Sequence, residues 1–146
     1  MAAFLFKTEP GDYAFADLVK DRKTTWSGVK NAVALKHLRN VARGDVIVVY
    51  HTGNEKAVVG LAHAVSAAYP DPALADPKRV VVDIAPDRAL ASPVALATFR
   101  ADPVLRMTDL VRISRLSVVP LDARQLARIL ELSGSASPAP SRRRKA

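Results

Sequence analysis

The 146-residue sequence contains no cysteine. This absence excludes disulfide bonds, thiol catalysis and cysteine-ligated zinc. The sequence also lacks an apolar run of roughly 18 to 20 residues, the length needed to cross a bilayer, so we expect no membrane partner. At the start of the chain, apolar residues precede the charge of Lys7, the reverse of the order in a signal peptide, and we therefore expect a cytoplasmic protein.

Motifs of common enzyme classes are missing as well. The six glycines are scattered singly, so no glycine-rich phosphate loop is present, and no Gly-x-Ser-x-Gly elbow occurs. The three histidines, His37, His51 and His63, lack the close spacing of metal ligands. His51 and His63 could approach each other across a hairpin, but two ligands are weak evidence for zinc. We expect no metal, no cofactor and no catalysis; a small-nucleotide enzyme using His51 and Glu9 is the alternative.

Positive charge is in excess, with 22 Lys and Arg against 14 Asp and Glu. Half of the formal net charge of +8 comes from Arg142, Arg143, Arg144 and Lys145. These residues end a stretch, 133–146, that is rich in Ser and Pro and has no periodicity, which predicts a flexible tail after a folded domain over 1–132. The tail could bind nucleic-acid phosphates or could only increase solubility, and the sequence favours neither.

Hydrophobic patterns predict the elements of the domain. Strands are expected at 3–8, 45–51, 57–68, 79–85, 93–96 and 115–120, with the β-branched run at 45–51 as a central strand and Gly60 at a bulge or close approach. Helices are expected at 13–19, 32–41, 95–100 and 122–132, with helical turns over 102–111. Asp12, Asn31 and Asp122 are placed to cap three of these helices. This order predicts a mixed α+β fold, a curved sheet or open barrel of about five to six strands surrounded by helices.

Polar side chains accumulate where the predicted strands end. The segments 7–9 and 50–52 and the pair Arg115 and Ser117 are examples, and a predicted loop at 24–31 holds the only tryptophan, Trp26. Trp26 could plug one end of the core, or it could form the flat wall of a pocket for a planar ligand. If these ends meet on one rim, they supply an aromatic face, amides, hydroxyls and cations, which suit a splayed-out base and its phosphate.

Several motifs, in order, resemble the EVE domain family over about residues 3 to 132. They are Phe4–Pro10, Trp26–Asn31, Gly44–Asp45, Tyr50–Thr52, Gly60–Ala62, Tyr69–Pro72, Pro93–Val94 and Arg115–Pro120. The resemblance implies a PUA-like fold related to YTH domains and a module that holds a modified base of nucleic acid in an aromatic pocket. The expected oligomeric state is a monomer. Methylated cytosine in DNA is the usual ligand proposed for the family. An RNA-binding module of RNA modification or translation is the alternative.

The resemblance also implies which residues surround the base. They are Lys7, Thr8, Glu9, Pro10, Trp26, Ser27, Gly28, Val29, Asn31, Tyr50, His51, Arg115, Leu116 and Ser117. The nucleic-acid backbone is expected to contact Lys30, Lys36, Arg142, Arg143, Arg144 and Lys145. A second aromatic wall is expected from Tyr50, Tyr69 or Tyr13, in that order. Family members usually have an aspartate at the position of Ser27, so this chain lacks one charge beside the expected base.

Overall fold

A computed structural model of the protein describes residues 1–134 as strands interspersed with short helices. The strands are β1 (Ala3–Thr8), β2 (Thr24–Trp26), β3 (Val46–His51), β4 (Ala57–Ala64), β5 (Tyr69–Pro70), β6 (Val80–Ala95) and β7 (Val118–Leu121). The helices are α1 (Phe15–Asp21), α2 (Ala32–Arg39), α3 (Leu96–Ala101), α4 (Asp109–Arg112) and α5 (Ala123–Ser133), with a 3₁₀ turn at Leu105–Met107. No helix within these 134 residues has the length and apolar character that a membrane span requires.

The strands form one sheet in the order β2-β6-β4-β3-β1-β7, and β5 pairs with β6 outside this path. The pair β1 and β3 is parallel, and the other pairs are antiparallel. Every residue of β3 is buried, as expected for a central strand that is covered on both faces. The helices pack around the sheet, and the expected mixed α+β architecture is confirmed.

The sheet is strongly curved. Four strand spacings separate β1 from β2 along the sheet, and a flat sheet would place them roughly 19 Å apart. The rings of Phe6 on β1 and Trp26 on β2 nevertheless lie with their centroids 5.4 Å apart. The sheet therefore curls into a half-barrel whose inner face holds much of the apolar core, and this curl brings edge strand β2 to the end of β1.

Gly60 allows α1 to pack directly on β4. The register between β3 and β4 shifts beside Gly60, and a Cβ atom added there would lie 2.5 Å from the Phe15 ring. Any side chain at this position would displace the ring that begins α1. The expected bulge and close approach are both present.

Some predicted boundaries are wrong, and each error has a local cause. Trp26 lies at the end of strand β2, not in a loop, because its segment pairs with Val82–Ile84 far along the chain. The two strands expected at 79–85 and 93–96 are parts of one strand, β6, which continues past Pro86 at a register shift against β4, where proline is tolerated. The turn expected at Tyr69 is the two-residue strand β5.

Two interpretations of single residues also fail. Asp12 does not cap α1: the residue preceding the helix is Ala14, and its backbone N–H donates to Asp17 Oδ2 at 2.8 Å. His51 and His63 do not approach across the hairpin, because the register pairs His51 with Ala57 at one end and His63 with Val46 at the other.

The last helix of the described residues is α5. This helix is capped at its start by Asp122, as expected, and includes Ser133, with Gly134 in a left-handed conformation after it. Helix α5 therefore extends one residue beyond the domain boundary expected at residue 132. The basic residues of the predicted tail, Arg142, Arg143, Arg144 and Lys145, lie outside the described residues.

Candidate functional site

An open pocket of about 450 Å³ lies between the end of β1, the turn that follows it, and strand β2. It occupies the place where the curl of the sheet brings these two strands together. The residues that line it are Lys7, Thr8, Glu9, Asp12, Tyr13, Thr24, Thr25, Trp26 and Ser27. Aromatic, hydroxyl, cationic and carboxylate groups therefore surround one concave space.

Trp26 is held by two other rings. Phe6, which is fully buried, lies 5.4 Å from it with an interplanar angle of 38°. Tyr13 meets it edge-on, with a centroid distance of 6.3 Å and an angle of 81°. Trp26 thus packs on the core and also lines the pocket, and the two interpretations of this residue are compatible. Because both neighbours restrain it, the indole offers a rigid surface to a planar ligand.

Tyr13 is the second aromatic of the pocket, although the sequence placed it behind Tyr50 and Tyr69. Its hydroxyl donates to Asp21 Oδ2 at 2.8 Å. Burial, together with this contact to a carboxylate, raises the pKa of Tyr13, so the phenol stays neutral at physiological pH. Tyr50 is buried in the core, and Tyr69 donates to Asp83 Oδ1 at 2.7 Å; neither of them lines the pocket.

Lys7 is the single cation among the residues that line this pocket. Its Nζ donates to the carbonyl oxygen of Ser114 at 2.8 Å and lies 5.9 Å from the centroid of the Tyr50 ring. Partial burial lowers the pKa of Lys7. The amine is therefore held between the loop that precedes β7 and the end of β3. It keeps hydrogen-bond donors for a ligand.

The carboxylate of Glu9 is fixed by the turn that follows β1. Glu9 Oε1 accepts a hydrogen bond from the Gly11 N–H at 2.8 Å, and Thr52 Oγ1 lies 3.4 Å from Oε2. Gly53 leaves room for this side chain, since a Cβ there would come within 2.7 Å of Oε2. An exposed carboxylate in this position can accept hydrogen bonds from an amino group of a ligand.

The expected site residues fall into two groups. Lys7, Thr8, Glu9, Trp26 and Ser27 line the pocket together. The other expected residues do not line the pocket; they are Pro10, Gly28, Val29, Asn31, Tyr50, His51, Arg115, Leu116 and Ser117. Lys30 and Lys36, which were expected to contact the backbone of nucleic acid, are exposed outside the pocket.

Most residues of the second group are either buried or have polar atoms that are already hydrogen-bonded within the protein. Asn31 Oδ1 accepts from the N–H groups of Val33 and Ala34 and so caps α2. Val29 and Leu116 are buried, and the Ser117 carbonyl accepts from the Lys7 N–H at 3.0 Å. Arg115 is exposed on the loop before β7, not on the strand where the sequence placed it.

Three lining residues, Asp12, Thr24 and Thr25, were not expected at the site, and Tyr13 was expected only as the third candidate for the second aromatic wall. The sequence placed Asp12 at a helix start and the two threonines in the loop that holds Trp26. The available signal was the pair of β-branched residues before Trp26, which is typical of a strand. Thr25 Oγ1 donates to Asp83 Oδ1 at 2.8 Å, a contact across strands that sequence alone does not reveal.

His51 has both ring nitrogens engaged. Nε2 lies 3.0 Å from the backbone nitrogen of Phe15, and Nδ1 lies 2.7 Å from Glu55 Oε1. A base for catalysis with Glu9 would need one of these nitrogens free toward the pocket. Within residues 1–134, no group of three or more histidine, aspartate or glutamate side chains is placed to hold a metal ion.

Comparisons with known proteins give a consistent result. The model of a family described as the EVE domain matches residues 2–132. A solved structure from Rhodopseudomonas palustris is 37% identical, covers 92% of this chain and 94% of that chain, and has a TM-score of 0.87. One from Agrobacterium tumefaciens is 29% identical, covers 94% of this chain and 97% of that chain, and has a TM-score of 0.89.

A human structure is similar over the same region. It is a crystal structure of the THYN1 protein in complex with DNA that contains 5-methylcytosine. The two proteins are 25% identical, the match covers 94% of this chain and 100% of that chain, and the TM-score is 0.83. No curated protein sequence matches the chain.

Proposed function

The chain belongs to the EVE domain family and has its PUA-like fold, and from this premise we propose that it is a non-catalytic module that binds nucleic acid through one modified base. The observation that carries the proposal is the pocket whose wall is Trp26, held between Phe6 and Tyr13. Support also comes from human THYN1, which has been crystallised with DNA containing 5-methylcytosine. Methylated cytosine in DNA is accordingly the first ligand to test.

The size and chemistry of the pocket suit a single base. Its volume of about 450 Å³ lies within the range of small-molecule sites, and the pocket is too small for a folded partner. A base stacked on the indole of Trp26 gains on the order of 1 to 3 kcal/mol. Lys7 can donate to the carbonyl or ring nitrogen of cytosine, and the Glu9 carboxylate can accept from its amino group.

A base in the pocket must leave its stack, and contacts to the phosphates can offset part of that cost. Two exposed cations close in sequence to pocket contacts are available for this: Lys30, three residues after Ser27, and Arg115, which follows the Ser114 carbonyl that accepts from Lys7. Affinity for nucleic acid is then expected to fall as salt is added.

Substitution of Trp26 tests the proposal. We expect Trp26→Ala to weaken binding of an oligonucleotide containing 5-methylcytosine roughly tenfold to a hundredfold, because the stacking surface is lost. Trp26→Phe keeps a smaller ring and should lose less. The measurement is a fluorescence-polarisation titration with labelled oligonucleotides, run beside matched DNA without the methyl group and matched RNA.

Circular dichroism and the melting temperature of each variant control for folding, since Trp26 also contacts Phe6. Unchanged affinity in folded Trp26→Ala would show that the base is not held against this ring. Tighter binding of the matched RNA would favour a module of RNA modification or translation, because contacts to the 2′-hydroxyl distinguish the two nucleic acids.

A further inference from the structure

His51 lies behind the pocket wall, and its protonation state follows from its partners. A backbone N–H can only donate, so the Phe15 N–H at 3.0 Å requires that Nε2 of His51 carry no proton. The proton of the neutral ring is then on Nδ1, which donates to Glu55 Oε1 at 2.7 Å. The side chain is buried, whereas that of Glu55 is 45% exposed. The structure therefore holds His51 as one neutral tautomer.

The Phe15 N–H that His51 binds lies two residues after the pocket residue Tyr13. Phe15 is the first residue of α1, and the segment before it is held at its other end as well: Thr8 Oγ1 donates to the Tyr13 carbonyl at 2.6 Å. The Tyr13 ring meets Trp26 edge-on. The contact between His51 and the start of α1 is thus two residues away from the aromatic wall of the pocket.

We propose that His51 is a positioning residue that couples the pocket to pH. Protonation places a second N–H on Nε2, directly opposite the Phe15 N–H, so that two donors face each other. The start of α1 then loses its acceptor, and Tyr13 moves relative to Trp26. The pocket is complete when His51 is neutral and is disturbed when the solution becomes acidic.

The titratable groups on the elements that contact His51 do not remove this conflict. Glu55 contacts the ring, but its exposure to solvent screens the attraction that a charged imidazole would gain. Glu9, from the end of β1, and Asp17, from the first turn of α1, are bonded to the backbone nitrogens of Gly11 and Ala14. On β4 the residue paired with His51 is Ala57, which does not titrate.

The first test needs no ligand, because Trp26 is the only tryptophan in the sequence. Its emission, and the amide resonance of Phe15 in ¹H–¹⁵N NMR spectra, are followed from about pH 8 to pH 5, where histidine titrates. We expect both signals to change together in the wild-type protein. In His51→Gln the side-chain amide oxygen can still accept from Phe15 but does not titrate, so both signals should stay constant.

His63→Gln is the matched control, since His63 pairs with Asp87 at the opposite end of β4. This variant should keep the wild-type profile. Signals that do not change with pH in the wild-type protein, or that still change in His51→Gln, would overturn the proposal. The wild-type measurement alone can do so, whether or not the variant folds.

The second test rests on the proposed function. Affinity for the methylated oligonucleotide should fall roughly tenfold in wild type on acidification, and it should stay level in His51→Gln. Equal losses in wild type and His51→Gln would overturn the coupling to ligand. Emission and NMR changes as expected, in a protein that binds no nucleic acid at any pH, would support the role of His51 and reject the proposed ligand.

Discussion

Among single residues, Asp102 joins three parts of the chain around one buried carboxylate. Its Oδ2 accepts from the N–H groups of Val104 and Leu105, each at 3.0 Å, and its Oδ1 accepts from Arg128 Nε at 2.8 Å. Burial by itself would raise the pKa of Asp102. The backbone donors and the Arg128 guanidinium outweigh burial and hold the pKa below its ordinary value. The charged form of Asp102 is therefore favoured in the folded state.

This contact predicts how stability depends on pH. Because the pKa of Asp102 is lower in the folded than in the unfolded state, its contribution is present above the unfolded value of about 3.9 and is lost as the pH falls through the folded value. We expect Asp102→Asn to be less stable than wild type at pH 7 by about 1 to 3 kcal/mol. The difference should shrink at acidic pH.

Urea unfolding of both proteins at a series of pH values measures this difference. Asp12→Asn, at an exposed carboxylate, is the control and should show no comparable change. A gap between wild type and Asp102→Asn that is the same at every pH would mean that the charge of Asp102 does not stabilise the fold.

At the scale of elements, α2 depends on its first residue. Asn31 Oδ1 accepts from Val33 and Ala34 at 2.9 and 3.0 Å, which satisfies two of the backbone donors at the helix start. The sequence suggested two roles for Asn31, helix cap and base contact. The structure supplies the contacts of the first role and places Asn31 outside the pocket lining.

Substitution at Asn31 separates these two roles. We expect Asn31→Ala to destabilise the protein by about 1 kcal/mol, because the cap is lost, and to leave affinity for the methylated oligonucleotide unchanged. Asn31→Ser retains a capping oxygen and should be close to wild type. Thermal unfolding and the binding titration measure the two effects. Weaker binding by a stable Asn31→Ala protein would show that Asn31 takes part in binding the ligand.

Elements with strong local signals were predictable. The apolar strands β1 and β3 and the capped helices α2 and α5 lie close to where the sequence placed them. Strand β2 was not predictable, because its three residues pair with Val82–Ile84 and local sequence carries no sign of that partner. The length of β6 was missed because Pro86 and Pro93 resemble breaks, although the register shift and the pairing with β4 accommodate them.

For the molecule as a whole, positive charge is divided between the domain and its last residues. Of the 22 Lys and Arg residues, four lie at 142–145, so the remainder of the chain has 18 against 14 acidic residues, a net +4. The domain alone thus offers limited attraction for a polyanion. The last residues contribute as much net charge as all the rest, and whether they bind phosphates decides how strongly salt affects binding.

Removal of residues 135–146 distinguishes a phosphate-binding tail from a solubilising one. If the four cations bind phosphates, the shortened protein should bind methylated and unmethylated DNA more weakly by the same factor. The slope of log affinity against log salt should become less steep by up to about 3.6, which is 0.9 for each contact. Titrations at several salt concentrations measure both quantities. Unchanged affinity together with lower solubility would support the solubilising role.

The site was predictable only in part, and the reason concerns the whole sheet. The family resemblance indicated which strand ends belong to the pocket, but not which of their side chains face it. That depends on the curl that carries β2 past three strands to the end of β1. Curvature is a property of all the pairings together. Tyr13 therefore lines the pocket. Tyr50 lies in the core, although it belongs to a strand that the sequence predicts more clearly.

The pairing of β2 with β6 also has a consequence for the order in which the chain is made. All the residues that line the pocket lie between Lys7 and Ser27, yet the strand that carries Trp26 pairs with residues 82–84. A nascent chain on the ribosome contains the complete set of lining residues long before it contains the partner of β2. Because folding follows synthesis from the N-terminus, the pocket cannot be complete until β6 has emerged.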